Sequence, residues 1–91
     1  MAAPGVTVYT TGFCGHCMRV KALLERRGIE YTEVDVDDHP GLREELLARS
    51  GRRTLPQVYA GERFVGDAAE IIALDQAGGL MKLIAERNDD G

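Results

Sequence analysis

Hydrophobic positions change their period along the chain, and each change marks an element. Val6-Thr7-Val8-Tyr9 is a short β-branched and aromatic run behind Pro4-Gly5, and reads as an inner strand. Val20, Leu23 and Leu24 then recur at i, i+3, i+4, the spacing of a helix with one buried face. That helix is predicted from about Gly15 to Arg27, with Gly28 as its left-handed cap. Tyr31–Val36 alternates and gives a second strand, parallel to the first because a helical crossover separates them. Pro40 is expected in the first turn of a second helix, whose stripe of Leu42, Leu46 and Leu47 runs to Ser50-Gly51. Pro56 has no N–H to give a ladder, so it belongs at the start of the strand that follows it. Gly61-Glu62 is a tight turn, and Arg63-Phe64-Val65 pairs back antiparallel. Asp67 with Glu70 forms a capping-box pattern ahead of Ile71, Ile72 and Leu74. Gly78-Gly79 breaks that helix, Leu80, Leu83 and Ile84 stripe a last one, and Asn88–Gly91 is expected as a loose tail.

The resulting order is β-α-β-α-β-β-α-α, an α/β chain with a four-stranded mixed sheet flanked by helices on both faces. Its 91 residues are expected to form a single domain, 1–91. A formal charge of −4 argues against a nucleic-acid binder, which would show a basic face. No apolar run approaches the ~20 residues of a membrane span. Met1-Ala2-Ala3-Pro4-Gly5 has neither a basic nor an apolar leader segment, so the expected compartment is a reducing cytoplasm. Disulfides there are passing, catalytic states.

Both cysteines lie in Cys14-Gly15-His16-Cys17, at the junction of the first strand and first helix. Unpaired N–H groups and the positive end of the macrodipole gather at a helix start. A thiolate is stabilised there, so Cys14 is expected to attack and Cys17, one turn deeper, to close a disulfide with it. Zinc needs about four ligands in a closed site, and only His16 and His39 could join the two cysteines. A purely structural bridge across so short a loop constrains little of the unfolded chain. Two unrelated buried thiols would not require the strand–loop–helix setting. The redox dithiol is the reading that uses all of it. His16 is expected to tune redox poise rather than act as a general base. Lys21 reads as a solvated helix charge, whereas Arg19 is left open.

Two further stretches carry chemistry. Pro56 is a candidate for a cis bond, which would let the Leu55 backbone present a β-like recognition edge. The start of the helix behind Gly66-Asp67-Ala68-Ala69 suits an anion, although an Asp67 cap would compete for the same N–H groups.

From Val6 to Ile84 the chain resembles the glutaredoxins. The resemblance rests on Val8-Tyr9-Thr10 before the Cys-x-x-Cys, Arg49-Ser50-Gly51-Arg52, Thr54-Leu55-Pro56-Gln57-Val58 and Phe64-Val65-Gly66, with Ala73–Leu80 similar to bacterial dithiol members. It implies the thioredoxin-like fold and a glutathione-dependent thiol–disulfide oxidoreductase, monomeric, acting on protein–glutathione mixed disulfides and protein disulfides. Cys14 would be the nucleophile and Cys17 the resolving thiol, with Gly15 and His16 tuning the pair. The glutathione contacts would be Arg52, Arg53, Thr54, Leu55, a cis Pro56, Gln57, Gly66, Asp67, Ala68 and Ala69. Arg52 or Arg53, with Gln57, would meet the glycine carboxylate; Leu55 would offer its main chain to the cysteinyl part. The backbone around Ala68 and Ala69 would hold the γ-glutamyl end. The chain departs from the family in three places. Gly15-His16 replaces Pro-Tyr, Thr11 replaces a lysine, and Gly66-Asp67-Ala68-Ala69 replaces Gly-Gly-Cys-Asp. Two other roles are compatible with the resemblance. One is a carrier of a [2Fe–2S] cluster held in a dimer by Cys14 and glutathione. The other is a mycoredoxin- or thioredoxin-like electron donor served by another reductant.

Overall fold

The computed structural model describes residues 5–12 and 14–89, and side-chain surroundings in α4 as far as Ile84. The strands are β1 (Val6–Thr10), β2 (Thr32–Asp35), β3 (Gln57–Ala60) and β4 (Arg63–Gly66). The helices are α1 (Gly15–Arg26), α2 (Leu42–Ser50), α3 (Ala68–Gln76) and α4 (Leu80–Asp89). The sheet order is β2-β1-β3-β4, with β1 parallel to β2, and β3 antiparallel to both β1 and β4. β1 is therefore an inner strand, as its apolar run predicts.

The period-two alternation of β1 sends Val6, Val8 and Thr10 to one face, where all three are buried. There Val6 and Val8 meet Val20, Leu23 and Leu24 of α1, Ile71 of α3, and Leu80 and Ile84 of α4. The opposite face is thinner. Val36, Leu46 of α2 and Tyr59 form a second cluster, with Tyr9, Leu42, Leu55 and Phe64 packed against it. Tyr59 anchors it through an edge-on contact with Tyr9 (centroids 5.3 Å) and a tilted one with Phe64 (5.5 Å).

α1 ends as its sequence requires. Gly28 takes φ 71°, and the N–H groups of Gly28 and Ile29 donate to the carbonyls of Glu25 and Leu24. This six-residue reversal needs a left-handed residue, which glycine supplies without a Cβ penalty.

Most boundaries shift by a residue from the predicted ones, and three departures have a specific cause. β2 stops at Asp35, and Val36–Asp38 form a 3-10 turn. The Asp35 carboxylate accepts the N–H of Asp37 at 2.9 Å, which turns the chain out of the sheet. Pro40 lies outside α2, which starts only after Gly41 at φ 87°. His39 before the proline stays extended, as residues preceding proline do, and so delays the helix. Asn88 and Asp89 continue α4 rather than loosening into a tail, because no Gly or Pro follows Leu80 to break it before Asp89. Asp90, Gly91, Phe13 and the segment 1–4 lie outside the described residues.

Candidate active site

The strand–helix junction places Cys14 as the N-cap of α1, in extended conformation (φ −129°, ψ 109°). Its sulfur accepts the backbone N–H of Cys17 at 3.2 Å, one of the donors that a helix start leaves without an internal partner. Cys14 is half-buried, whereas Cys17, one turn on, is only 2% exposed. Burial, reinforced by a hydrogen bond to the Cys14 sulfur, pushes the Cys17 thiol up to about 11. The two sulfurs are thus unlike: one rimmed by exposed Gly12, Gly15, His16 and Met18, the other held protonated beneath it.

A depression of about 310 Å³ opens over the pair, lined by Thr10, Thr11, Cys14, Cys17, Lys21 and Glu33 among others. Lys21 is not a free solvated charge. Its ammonium reaches Glu33 Oε2 at 3.0 Å, and the Thr10 hydroxyl donates to the same oxygen at 3.0 Å. The Lys21 hydrogen bond, aided by Thr10, holds the Glu33 carboxyl below its ordinary range. On the other side, the Thr11 hydroxyl donates to Asp37 at 2.6 Å, and Arg43 of α2 donates to both Thr11 and Asp37. Thr11 thereby ties the loop before Cys14 to the 3-10 turn and α2. The sequence did not signal these partners, because all but Arg43 and Asp37 stand 12 to 32 residues apart along the chain.

The Leu55–Pro56 peptide is cis, and Pro56 is buried at the start of β3. Gln57 beside it is 1% exposed. Its amide donates to the carbonyls of Arg52 and Thr54, and its oxygen accepts from Tyr59. The side chain expected to meet a ligand carboxylate instead clamps the loop 52–54. Arg52 is also committed within the chain. Its guanidinium pairs with both oxygens of Glu70, reaches Asp67 at 3.5 Å, and lies 5.0 Å over the Phe64 ring. Arg53 and Thr54 are exposed, and no partner holds the Arg53 guanidinium among the described residues. A second hollow, about 220 Å³, lies between α2 and this loop, lined by Arg43, Arg52, Arg53, Leu55 and Gln57 among others.

At α3 the capping box is complete. Asp67 accepts the Glu70 N–H at 3.0 Å, and Glu70 accepts the Asp67 N–H at 2.9 Å. This leaves the N–H groups of Ala68 and Ala69 without partners among the described residues, so the cap and a ligand need not compete. Gly66 is required by packing. A Cβ there would stand 2.8 Å from Glu70 Cβ and 3.1 Å from Oε1. Only a glycine lets Glu70 fold back over the turn to Asp67 and Arg52. Among the described residues no group of three or more His, Cys, Asp or Glu could hold a metal ion, and no helix is long and apolar enough to cross a membrane.

Comparison with known proteins agrees with this geometry. The chain is 42% identical over 82 residues to a glutaredoxin of Pseudomonas aeruginosa, covering 90% of this chain and 98% of that one. The solution structure of Glutaredoxin from Brucella melitensis superposes with a TM-score of 0.80 at 38% identity, over 97% of this chain and 95% of that one. The crystal structure of a buckwheat glutaredoxin–glutathione complex gives 0.83 at 27% identity, over 91% and 78%. The family model described as Glutaredoxin matches residues 6–65. The mixed sheet with its flanking helices is thus shared architecture: the chain belongs to the glutaredoxin family and is a thiol–disulfide oxidoreductase of thioredoxin-like fold.

Proposed function

We propose that this chain is a single-domain, glutathione-dependent reductase of protein–glutathione mixed disulfides and protein disulfides, working as a monomer in a reducing cytoplasm. The observation that carries the reading is the inequality of the two sulfurs. Cys14 is accessible and takes an N–H from the helix start, whereas Cys17 is buried and protonated.

In the proposed reaction the Cys14 thiolate attacks the glutathione sulfur of a mixed disulfide. The protein thiolate leaves and takes a proton from water, and Cys14 carries the glutathionyl group. A second glutathione thiolate attacks that group, releasing Cys14 and glutathione disulfide. With a protein disulfide, Cys14 forms a bond to one substrate sulfur and expels the other. Cys17 then loses its proton to solvent and attacks Cys14, expelling the remaining substrate sulfur. Two glutathiones reduce the resulting Cys14–Cys17 bridge. Low basicity in a thiol helps most where that thiol is the leaving group, because intrinsic nucleophilicity falls as the thiolate fraction rises.

Glutathione is read into a groove running from the hollow between α2 and the cis-Pro56 loop toward the start of α3. Arg53 would take its glycine carboxylate, with Arg52 contributing from its place beside Glu70, and Thr54 and Leu55 would flank the cysteinyl part. The free N–H groups of Ala68 and Ala69, behind Gly66 and Asp67, would receive the γ-glutamyl carboxylate. Gln57 supports this groove by fixing the loop rather than by touching the ligand.

The test is a pair of serine variants assayed with glutathione, NADPH and glutathione reductase, and in parallel with thioredoxin reductase. Cys14→Ser is expected to abolish deglutathionylation, while Cys17→Ser keeps it and loses reduction of protein disulfides. The opposite ordering would overturn the assignment, and turnover only with thioredoxin reductase would replace glutathione as the reductant.

A further inference from the structure

The second sulfur poses a problem that the pair alone does not solve. Cys17 must become a thiolate to expel a substrate from Cys14, yet it is buried. Burial, the largest cause of its raised thiol, persists when Cys14 is bonded to a substrate sulfur, so the thiolate stays the minor form. Cys17 and Lys21 are four residues apart on α1, so they share a helix face one turn apart. Both line the depression over the dithiol. The Lys21 side chain is only 28% exposed, and Glu33 Oε2 holds its ammonium at 3.0 Å. Thr10, a buried residue of β1, fixes that oxygen in turn.

We infer that Lys21, anchored by Glu33 and Thr10, is a positioning residue for the resolving step: its fixed cation favours the thiolate that Cys17 must become. The inference rests on the dithiol reading above. Charged groups reach Cys17 from two sides. α1 supplies Cys14 and Lys21, and β2 supplies Glu33 and Asp35 through the same depression. The Glu33 carboxylate is engaged by Lys21 and Thr10, and Asp35 accepts the Asp37 N–H. Two groups lower the cost of ionising Cys17: a backbone hydrogen bond from Thr11 and, more weakly, the Lys21 cation. In the step it assists, the Cys17 proton passes to solvent, the Cys17–Cys14 bond forms, and the bond from Cys14 to the substrate breaks with the electron pair leaving on the substrate sulfur.

The reduced protein is mixed with the aromatic disulfide dithiobis(nitrobenzoate), which needs no glutathione. Cys14 releases one thionitrobenzoate by attack, and Cys17 releases the second by closing the bridge. Lys21→Met is expected to slow the second release about fivefold at low salt, with Lys21→Arg restoring it. In a Cys14→Ser background, alkylation of Cys17 by iodoacetamide at pH 8 should slow about fivefold with Lys21→Met and recover with Lys21→Arg. An alkylation rate that does not change overturns the inference, whatever happens to the second release. Absence of a second release from the unmodified protein would instead overturn the dithiol reading, and this inference with it.

Discussion

Replacing Gly66 by alanine tests whether the turn between β4 and α3 is set by packing. The added Cβ would sit 2.8 Å from Glu70 Cβ, well inside the 3.5–4.0 Å that two carbons prefer. Glu70 Cβ is attached to helix backbone, so relief requires α3 to shift against β4. Overpacking of this kind costs about 1–3 kcal/mol. The shift also strains the capping box, worth about 1 kcal/mol. The Arg52–Glu70 pair adds less than its geometry suggests, because its side chains are 39% and 42% exposed. A loss of about 2–3 kcal/mol is expected. In urea, with a slope of about 1 kcal/mol per molar for so small a domain, the midpoint should fall by about 2–3 M. The decisive control is the same change in a Glu70→Ala background. Alanine keeps the Cβ that makes the close contact, so most of the penalty should persist there. If Glu70→Ala removes it, the conflict lies at the carboxylate end and the packing argument is wrong.

Two other outcomes follow from the same coordinates. Hydrogen-bond donors hold four carboxyls below their ordinary values of 4.5 (Glu) and 3.8 (Asp): Lys21 for Glu33, Thr11 and then Arg43 for Asp37, Arg52 for Glu70, and Arg27 for Asp75. The native state therefore binds fewer protons than the unfolded chain below those values. The stabilisation is complete above them and is lost as pH falls through the lower native ones. The thermal midpoint should be flat near neutrality and drop below about pH 4.5; a midpoint that rises on acidification there would contradict the ion-pair assignments. Gly15→Pro should leave the fold intact and raise stability by about 0.4–1 kcal/mol, measured by urea denaturation. Gly15 is the first residue of α1, a Cβ there meets nothing within 4 Å, and Cys14 already has the extended backbone that a following proline requires. A loss of more than about 1 kcal/mol would mean that the helix start needs glycine.

The sequence was most legible where chemistry and local geometry coincide. Cys14 at the mouth of a helix, Pro56 at the start of a strand, Gly28 in a left-handed cap and the Asp67–Glu70 box all depend on residues within a turn or two of one another. The errors also have local causes. Asp35 bends the chain out of β2 by capping Asp37, and the residue before Pro40 resists the helix that the leucine stripe suggested. Arg52 and Gln57 are instructive because their identities suited a ligand role. Burial of Gln57 turns its amide to the loop carbonyls, and Glu70 across from Arg52 fixes where that guanidinium sits.

By itself, the sequence determined the element order, the apolar faces and the spacing of the two sulfurs, since periodicity and turn chemistry act between near neighbours. Only the tertiary structure decided which charges reach those sulfurs and that Arg52, unlike Arg53, is held by a carboxylate. Lys21 meets Glu33 because β2 lies beside β1, and Arg52 meets Glu70 because β4 carries α3 back toward the cis-Pro56 loop. Electrostatic partners are set by distance in space, and a pattern read along the chain does not measure it.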